Sequence, residues 1–135
     1  MTSIMVNYLA IVIAALAGVG LGLIWRTVML KPWLAARGKT KTDIEGRGLV
    51  LPFLTTFVAL LVMSWMLAGV MAHMGQVTVR GGLITSFLVW LGFVITVIGV
   101  SHAFTGAKPM LTLIDGAYWL AALLIMGAVI GAFGV

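Results

Sequence analysis

The few charged residues of this 135-residue chain are unevenly placed and leave four long stretches without any charge. These stretches are residues 1–25, 48–79, 81–107 and 116–135. Each is long enough for a membrane-spanning helix, which needs about 20 mostly apolar residues. Only 8% of the residues are charged and 63% are hydrophobic, so the chain lacks the polar side chains that cover a soluble protein of this size. The sequence therefore predicts an integral membrane protein.

The four stretches predict an all-α fold, an antiparallel four-helix transmembrane bundle that forms one domain over residues 1–135. We expect the spans near residues 4–25, 49–72, 83–104 and 111–133. The first stretch has no basic residue before it and ends in Trp25-Arg26 rather than at a small-residue cleavage site. It therefore does not resemble a cleaved signal peptide, and we expect it to remain as a helix.

The basic residues predict the orientation of the bundle. Six of the eight Lys and Arg residues lie in the first loop, residues 26–48, while Arg80 lies in the second loop and Lys108 in the third. Because loops one and three share a side of the membrane, seven basic residues face one side and one faces the other. The positive-inside rule makes the richer side cytoplasmic, which places both termini outside.

Within the first loop, Pro32 suits the first turn of a helix and Gly38 suits its end. We expect a short interfacial helix here, with Trp33 at the membrane surface. The loop also supplies candidates for binding lipid headgroups, or for enforcing topology alone, and these are Lys31, Arg37, Lys39, Lys41 and Arg47. We expect no nucleic-acid partner, because the basic cluster is short and holds a single aromatic residue.

Small residues mark the faces on which the helices are expected to pack, since membrane helices associate through close backbone contact. The helix-packing candidates are Ala10, Ala14, Gly18 and Gly22 in the first helix and Gly127 and Gly131 in the fourth. The third helix carries Gly92, Thr96 and Gly99, and the fourth has a second face of small residues. These small-residue faces outnumber those that one bundle needs for its own packing. The excess indicates a homo-oligomer or a subunit of a larger membrane complex. Asn7 is expected to form an interhelical hydrogen bond.

Asp115 is the only carboxylate inside a predicted span. A charged group within the membrane is a candidate functional site, because it is costly unless it has a partner. His102 and Arg26 are expected at a similar depth, so Asp115, His102 and Arg26 form the candidate polar site. Two interpretations stay open: a structural ion pair or hydrogen bond, and a pair that titrates during function.

Catalytic and cofactor chemistry finds little support in the sequence. The chain has no cysteine, and His73 and His102 are expected at opposite ends of the bundle, so we predict neither a metal site nor a cofactor. No residue is assigned a catalytic role, since one carboxylate and one histidine make a small catalytic set.

Several segments of the chain resemble a known family. They are Asn7-Tyr8-Leu9-Ala10 at the start, Trp25, Trp90-Leu91-Gly92-Phe93, and Ile114-Asp115-Gly116-Ala117 followed by Gly127. With these segments the chain resembles the domain-of-unknown-function family 1761, whose members are small bacterial membrane proteins with four predicted spans. The resemblance implies a bundle in the bacterial cytoplasmic membrane and no particular activity.

Three functions therefore remain open. The first is a non-enzymatic interaction or accessory subunit that associates through its small-residue faces. The second is a small proton-coupled transporter that uses Asp115 and His102. The third is an enzyme that modifies lipids or quinones at the membrane surface, with Arg26, His102 and Asp115 as its polar groups.

Overall fold

A computed structural model describes residues 7–38 and 50–134 of the chain. The described residues form four helices: α1 at Tyr8–Arg37, α2 at Val50–His73, α3 at Val79–Thr105 and α4 at Pro109–Phe133. All four are long and apolar enough to cross a membrane. They alternate in direction, which confirms the predicted all-α, antiparallel four-helix bundle.

Helix α1 differs most from the sequence-based expectation. In place of a separate interfacial helix after residue 31, α1 continues through Pro32 and ends at Arg37. Pro32 removes one backbone hydrogen bond, but packing offsets that loss. Ala36 is buried against Leu111 and Ile114 of α4 and extends the bundle beyond the central core. Lys39, Lys41 and Arg47, predicted to bind headgroups, lie outside the described residues.

Polar residues at the helix ends satisfy backbone groups that would otherwise lack partners. The side chain of Asn7 accepts a hydrogen bond from the Ala10 N–H, so Asn7 caps α1 and does not link two helices as expected. Thr78 caps α3 in the same way by accepting from the Gly81 N–H. Gly38 ends α1 in the left-handed conformation, with φ of 66°. The cap at Thr78 starts α3 four residues before the predicted span.

Hydrogen bonds from side chains to backbone carbonyls tie neighbouring helices together. Ser64 of α2 donates to the carbonyl of Ile11 in α1, and Ser86 of α3 donates to that of Leu123 in α4. The indole of Trp90 in α3 also donates to α4, at the Gly116 carbonyl. Such bonds persist in an apolar bilayer because no water competes for the donors.

The predicted small-residue face of α1 lies inside the bundle. Ala10, Ala14 and Gly18 are buried, and a Cβ atom at Gly18 would lie 3.0 Å from the Cδ1 atom of Leu60. Gly22 faces the phenol ring of Tyr118, whose hydroxyl would lie 3.1 Å from an added Cβ. The missing side chains therefore let α2 and α4 approach α1 closely.

Helices α3 and α4 approach even more closely near the start of α3. Gly82 lies against the backbone of Gly127, and Gly131 lies against the backbone of Thr78. A side chain at any of these glycines would overlap with backbone atoms. This end of the α3–α4 pair is therefore closed by direct backbone contact.

A π-helical turn at Trp90–Val94 divides α3 into two parts. The second part, Ile95–Thr105, packs chiefly against α4, and none of its residues is buried. A π turn shifts the faces of the helix that follows it. The second half of α3 therefore lies at the periphery of the bundle, with much of its surface uncovered by the described residues.

Candidate functional site

The polar residues of interest lie at one end of the bundle, where α1 and α3 end and α2 and α4 begin. We call this the basic end, because Arg26, Lys31, Arg37 and Lys108 lie on the helices there. Among the described residues, the opposite end carries one Lys or Arg residue, Arg80. The charge asymmetry predicted for the loops thus extends into the helices.

At the basic end Asp115 lies beside His102, with 3.5 Å between the carboxylate Oδ2 and the imidazole Nε2. The two side chains are partly buried, with 27% and 18% of their surfaces exposed. The other ring nitrogen, Nδ1, lies 2.8 Å from the hydroxyl oxygen of Thr112. When the imidazole carries its proton on Nε2, Nδ1 accepts a hydrogen bond from the Thr112 hydroxyl and the Nε2–H group points at the Asp115 carboxylate. Thr112 and Asp115 thus hold the ring between them.

Arg26 is the third member of the predicted polar site, and it does not form an ion pair with Asp115. Instead, both side chains line one cavity of about 210 Å³ between α1, α2 and α4, which we call the Arg26 cavity. The rest of its wall is mainly apolar and aromatic and includes Trp25, Met29, Trp33, Phe53 and Tyr118. The positively charged Arg26 and the negatively charged Asp115 therefore line the same cavity without forming an ion pair with each other.

A second cavity, of about 590 Å³, lies on the other side of the Asp115–His102 pair. Its wall includes Ser101, His102 and Thr105 from α3 and Lys108, which precedes α4. Asp115 borders the Arg26 cavity and His102 borders this second one. The pair therefore forms part of the partition between two cavities at the same end of the bundle.

Aromatic rings shape the Arg26 cavity. The Trp25 and Tyr118 rings pack at 6.4 Å between centroids, and the Tyr118 hydroxyl donates to the Gly18 carbonyl. The Arg37 guanidinium lies 4.9 Å from the centroid of the Trp33 ring, and both side chains lie near the Asp115 carboxyl group. Trp25 also brings a buried indole N–H that has no acceptor among the described residues.

Two of the predicted headgroup-binding cations are described. Lys31 and Arg37 lie exposed on the last turns of α1, on the part of the helix that extends past the expected span. Arg37 is engaged with the Trp33 ring, while Lys31 lies one residue before Pro32. Both positions suit contact with headgroups.

The histidines lie as far apart as the sequence predicts, His73 at the end of α2 and His102 near the end of the antiparallel α3. Within residues 7–38 and 50–134, no group of three His, Cys, Asp or Glu side chains is arranged to hold a metal ion.

Sequence reasoning missed four residues at this site: Thr112, Trp25, Trp33 and Tyr118. Thr112 and Tyr118 lie three residues before and after Asp115, a spacing that places neighbours along a helix. That spacing was a usable signal for both. Trp33 was expected at the membrane surface outside the bundle, and only the continuation of α1 past Pro32 brings it to Asp115.

Comparison with known proteins gives one positive result. Residues 9–131 match DUF1761, described as a protein of unknown function. Neither the curated proteins nor the solved structures contain a match to the chain. The matched region includes all of α2 and α3, nearly all of α1 and most of α4. The resemblance found in the sequence is thereby confirmed, and this membrane protein belongs to the DUF1761 family.

Proposed function

We propose that the protein is a non-enzymatic helical bundle of the bacterial cytoplasmic membrane that acts as an interaction or accessory subunit and associates with further copies of itself. The excess of basic residues at one end supports an orientation with that end in the cytoplasm and both termini outside.

One observation carries this proposal, an uncovered face of small residues on α3. We call it the open glycine face, and it consists of Gly92, Thr96 and Gly99. An added Cβ atom at Gly92 or Gly99 would meet no neighbour within 4 Å. Small residues in a lipid-facing position let a second helix approach closely, which is the main source of association in a bilayer. A second copy of the chain fits such a face through a twofold axis.

The other small-residue faces do not serve this purpose. Gly18 and Gly22 face Leu60 and Tyr118 of the same chain, and Gly127 faces the backbone of α3. Substitutions at these positions would disturb folding of the single chain. The open glycine face is different, because a larger side chain there leaves the packing of the monomer unchanged.

The test is the oligomeric state of the full-length protein in nanodiscs or by native mass spectrometry. We expect a mass that is a whole multiple of 14.3 kDa, with the dimer as the simplest case. Gly92→Leu and Gly99→Leu are expected to convert the assembly to monomers, since each side chain blocks close approach. Gly69→Leu is the matched control, because Gly69 of α2 also has open space around its Cβ position.

A monomeric wild-type protein would overturn the proposal. So would assemblies of unchanged size in both α3 variants. If the complex contains a different protein, the accessory role stands, and that protein takes the place of a second copy of the chain as the partner.

A proton-coupled transporter is the second candidate, and the Asp115–His102 pair between two cavities favours it. Against it, both cavities lie at the basic end, and backbone contact between Gly82 and Gly127 closes the α3–α4 pair at the opposite end. The deciding measurement is pH-driven flux in liposomes. Flux that disappears in Asp115→Asn supports the transporter over the accessory subunit.

A further inference from the structure

The Arg26 cavity lies at the depth where a bilayer changes from hydrocarbon to headgroups. Helix α1 rises about 27 Å from Tyr8 to Arg26, close to the roughly 30 Å thickness of the hydrocarbon core. The aromatic rings of Trp25 and Trp33 flank Arg26 along the helix, as is common at membrane interfaces. An occupant of this cavity is therefore drawn from molecules that reach the interface.

The charges in the cavity wall define the chemistry of that occupant. Arg26 offers a guanidinium for a phosphate group, which it can bind through two parallel hydrogen bonds. Asp115 offers a carboxylate for an ammonium group in the same cavity. A purely anionic headgroup would leave Asp115 facing a like charge, and a neutral ring would leave the Arg26 guanidinium without a counter-charge. A zwitterion with a phosphate and an ammonium group matches both.

The remaining wall fits the same occupant. Trp25, Trp33 and Tyr118 surround the space beside Asp115 with aromatic rings, which attract ammonium groups through their faces. The buried indole N–H of Trp25 has no acceptor among the described residues, and a rotation of its ring toward the cavity gives a donor to a phosphate or ester oxygen. The cavity, at about 210 Å³, is many times larger than one water molecule requires.

We propose that the Arg26 cavity binds the headgroup of phosphatidylethanolamine, with its phosphate on Arg26 and its primary ammonium on Asp115 among the aromatic rings. The acyl chains then lie along the apolar surface of the bundle. The primary amine matters, because Asp115 accepts hydrogen bonds from N–H groups that a trimethylated ammonium lacks. The site lies between α1, α2 and α4 and is separate from the open glycine face of α3.

The test is native mass spectrometry of the full-length protein after exchange into phosphatidylethanolamine, phosphatidylcholine or phosphatidylglycerol with identical acyl chains. We expect phosphatidylethanolamine to be retained about tenfold more than either of the other lipids, the effect of one charge-assisted hydrogen bond. Arg26→Gln is expected to lower retention of phosphatidylethanolamine about tenfold. Arg80→Gln, which changes a basic residue at the opposite end, is the matched control and is expected to retain the lipid.

Two further variants separate binding from folding. Asp115→Asn is expected to abolish the preference for phosphatidylethanolamine over phosphatidylglycerol. Trp25→Phe keeps a ring and removes the indole donor, so it is expected to weaken lipid binding even if Asp115→Asn fails to fold. Equal retention of the three lipids by the wild type would overturn the proposal. So would unchanged retention in both Arg26→Gln and Trp25→Phe, or a different small molecule bound after gentle extraction from the source membrane.

Discussion

The Tyr118 hydroxyl lies 3.1 Å from the backbone carbonyl oxygen of Gly18 and donates a hydrogen bond to it, joining residues 100 positions apart in the chain. The bond is possible because Gly22, one turn farther along α1, has no side chain where the phenol ring lies. Tyr118 also lines the Arg26 cavity. One side chain thus links the packing of α1 on α4 to the shape of the candidate site.

Removing that bond tests its contribution to stability. Tyr118→Phe keeps the ring and deletes the hydroxyl, and we expect a loss of about 1 kcal/mol in the free energy of unfolding. Unfolding in mixed micelles measures the change. Tyr8→Phe is the control, because Tyr8 is exposed at the start of α1 and should leave stability unchanged. Equal stability of wild type and Tyr118→Phe would contradict the assigned bond.

The pairing of Asp115 with His102 predicts energetic coupling between the two residues. A double-mutant cycle with Asp115→Asn and His102→Gln should give a coupling energy of about 1 kcal/mol, since the side chains are in direct contact. The same cycle with Arg26→Gln should give a value near zero, because Arg26 and Asp115 do not form an ion pair. The reverse result would restore Arg26 as the structural partner of Asp115.

The backbone contact between α3 and α4 predicts a strict requirement for glycine. Gly127→Ala places a methyl group against the Gly82 carbonyl and the Ser86 hydroxyl, and the backbone cannot move aside without separating the helices. We expect a loss of about 2 kcal/mol in stability. Gly69→Ala is the control, since its methyl group meets open space and alanine favours a helix. A stable Gly127→Ala protein would mean that α3 and α4 are farther apart than described.

The continuity of α1 through Pro32 is testable by distance. Spin labels at Leu9 and Ala35 lie 26 residues apart on one straight helix, which predicts a separation of about 39 Å. A first span that ends at residue 25, followed by chain that turns along the membrane surface, would place the labels clearly closer together than 39 Å. Pulsed electron paramagnetic resonance in liposomes distinguishes the two distances.

The presence of four apolar helices of membrane-spanning length was predictable from the sequence, and most of the contacts between them were not. Long apolar stretches identify membrane helices because the bilayer excludes charge, whatever the neighbours of each helix are. Spacing likewise revealed that Gly18 and Gly127 belong to packing faces. It did not reveal that Gly18 faces Leu60 while Gly127 faces Gly82, because that choice depends on how each helix is rotated in the bundle.

The candidate site illustrates the same limit. Their expected depth in the membrane did not distinguish Arg26 from His102 as the partner of Asp115. The rotation of α1 and α3 within the bundle brings His102, and not Arg26, into contact with Asp115. The extension of α1 was missed for a different reason. Proline is a good signal for the start of a helix, but it gives no information about the packing of Ala36 on α4 that carries the helix onward.

The glycine contacts between α3 and α4 also determine how the bundle can deform. Because Gly82 and Gly127 touch through their backbones, they act as a fulcrum for any tilt of α4. The start of α4 lies about 27 Å from this fulcrum, so a tilt of 5° shifts Pro109 by about 2 Å. Asp115, about 18 Å from the fulcrum, moves by about 1.6 Å in the same tilt, which is enough to lengthen its contact with His102. Small changes in the angle of α4 therefore cause their largest displacements at the basic end, where both cavities lie.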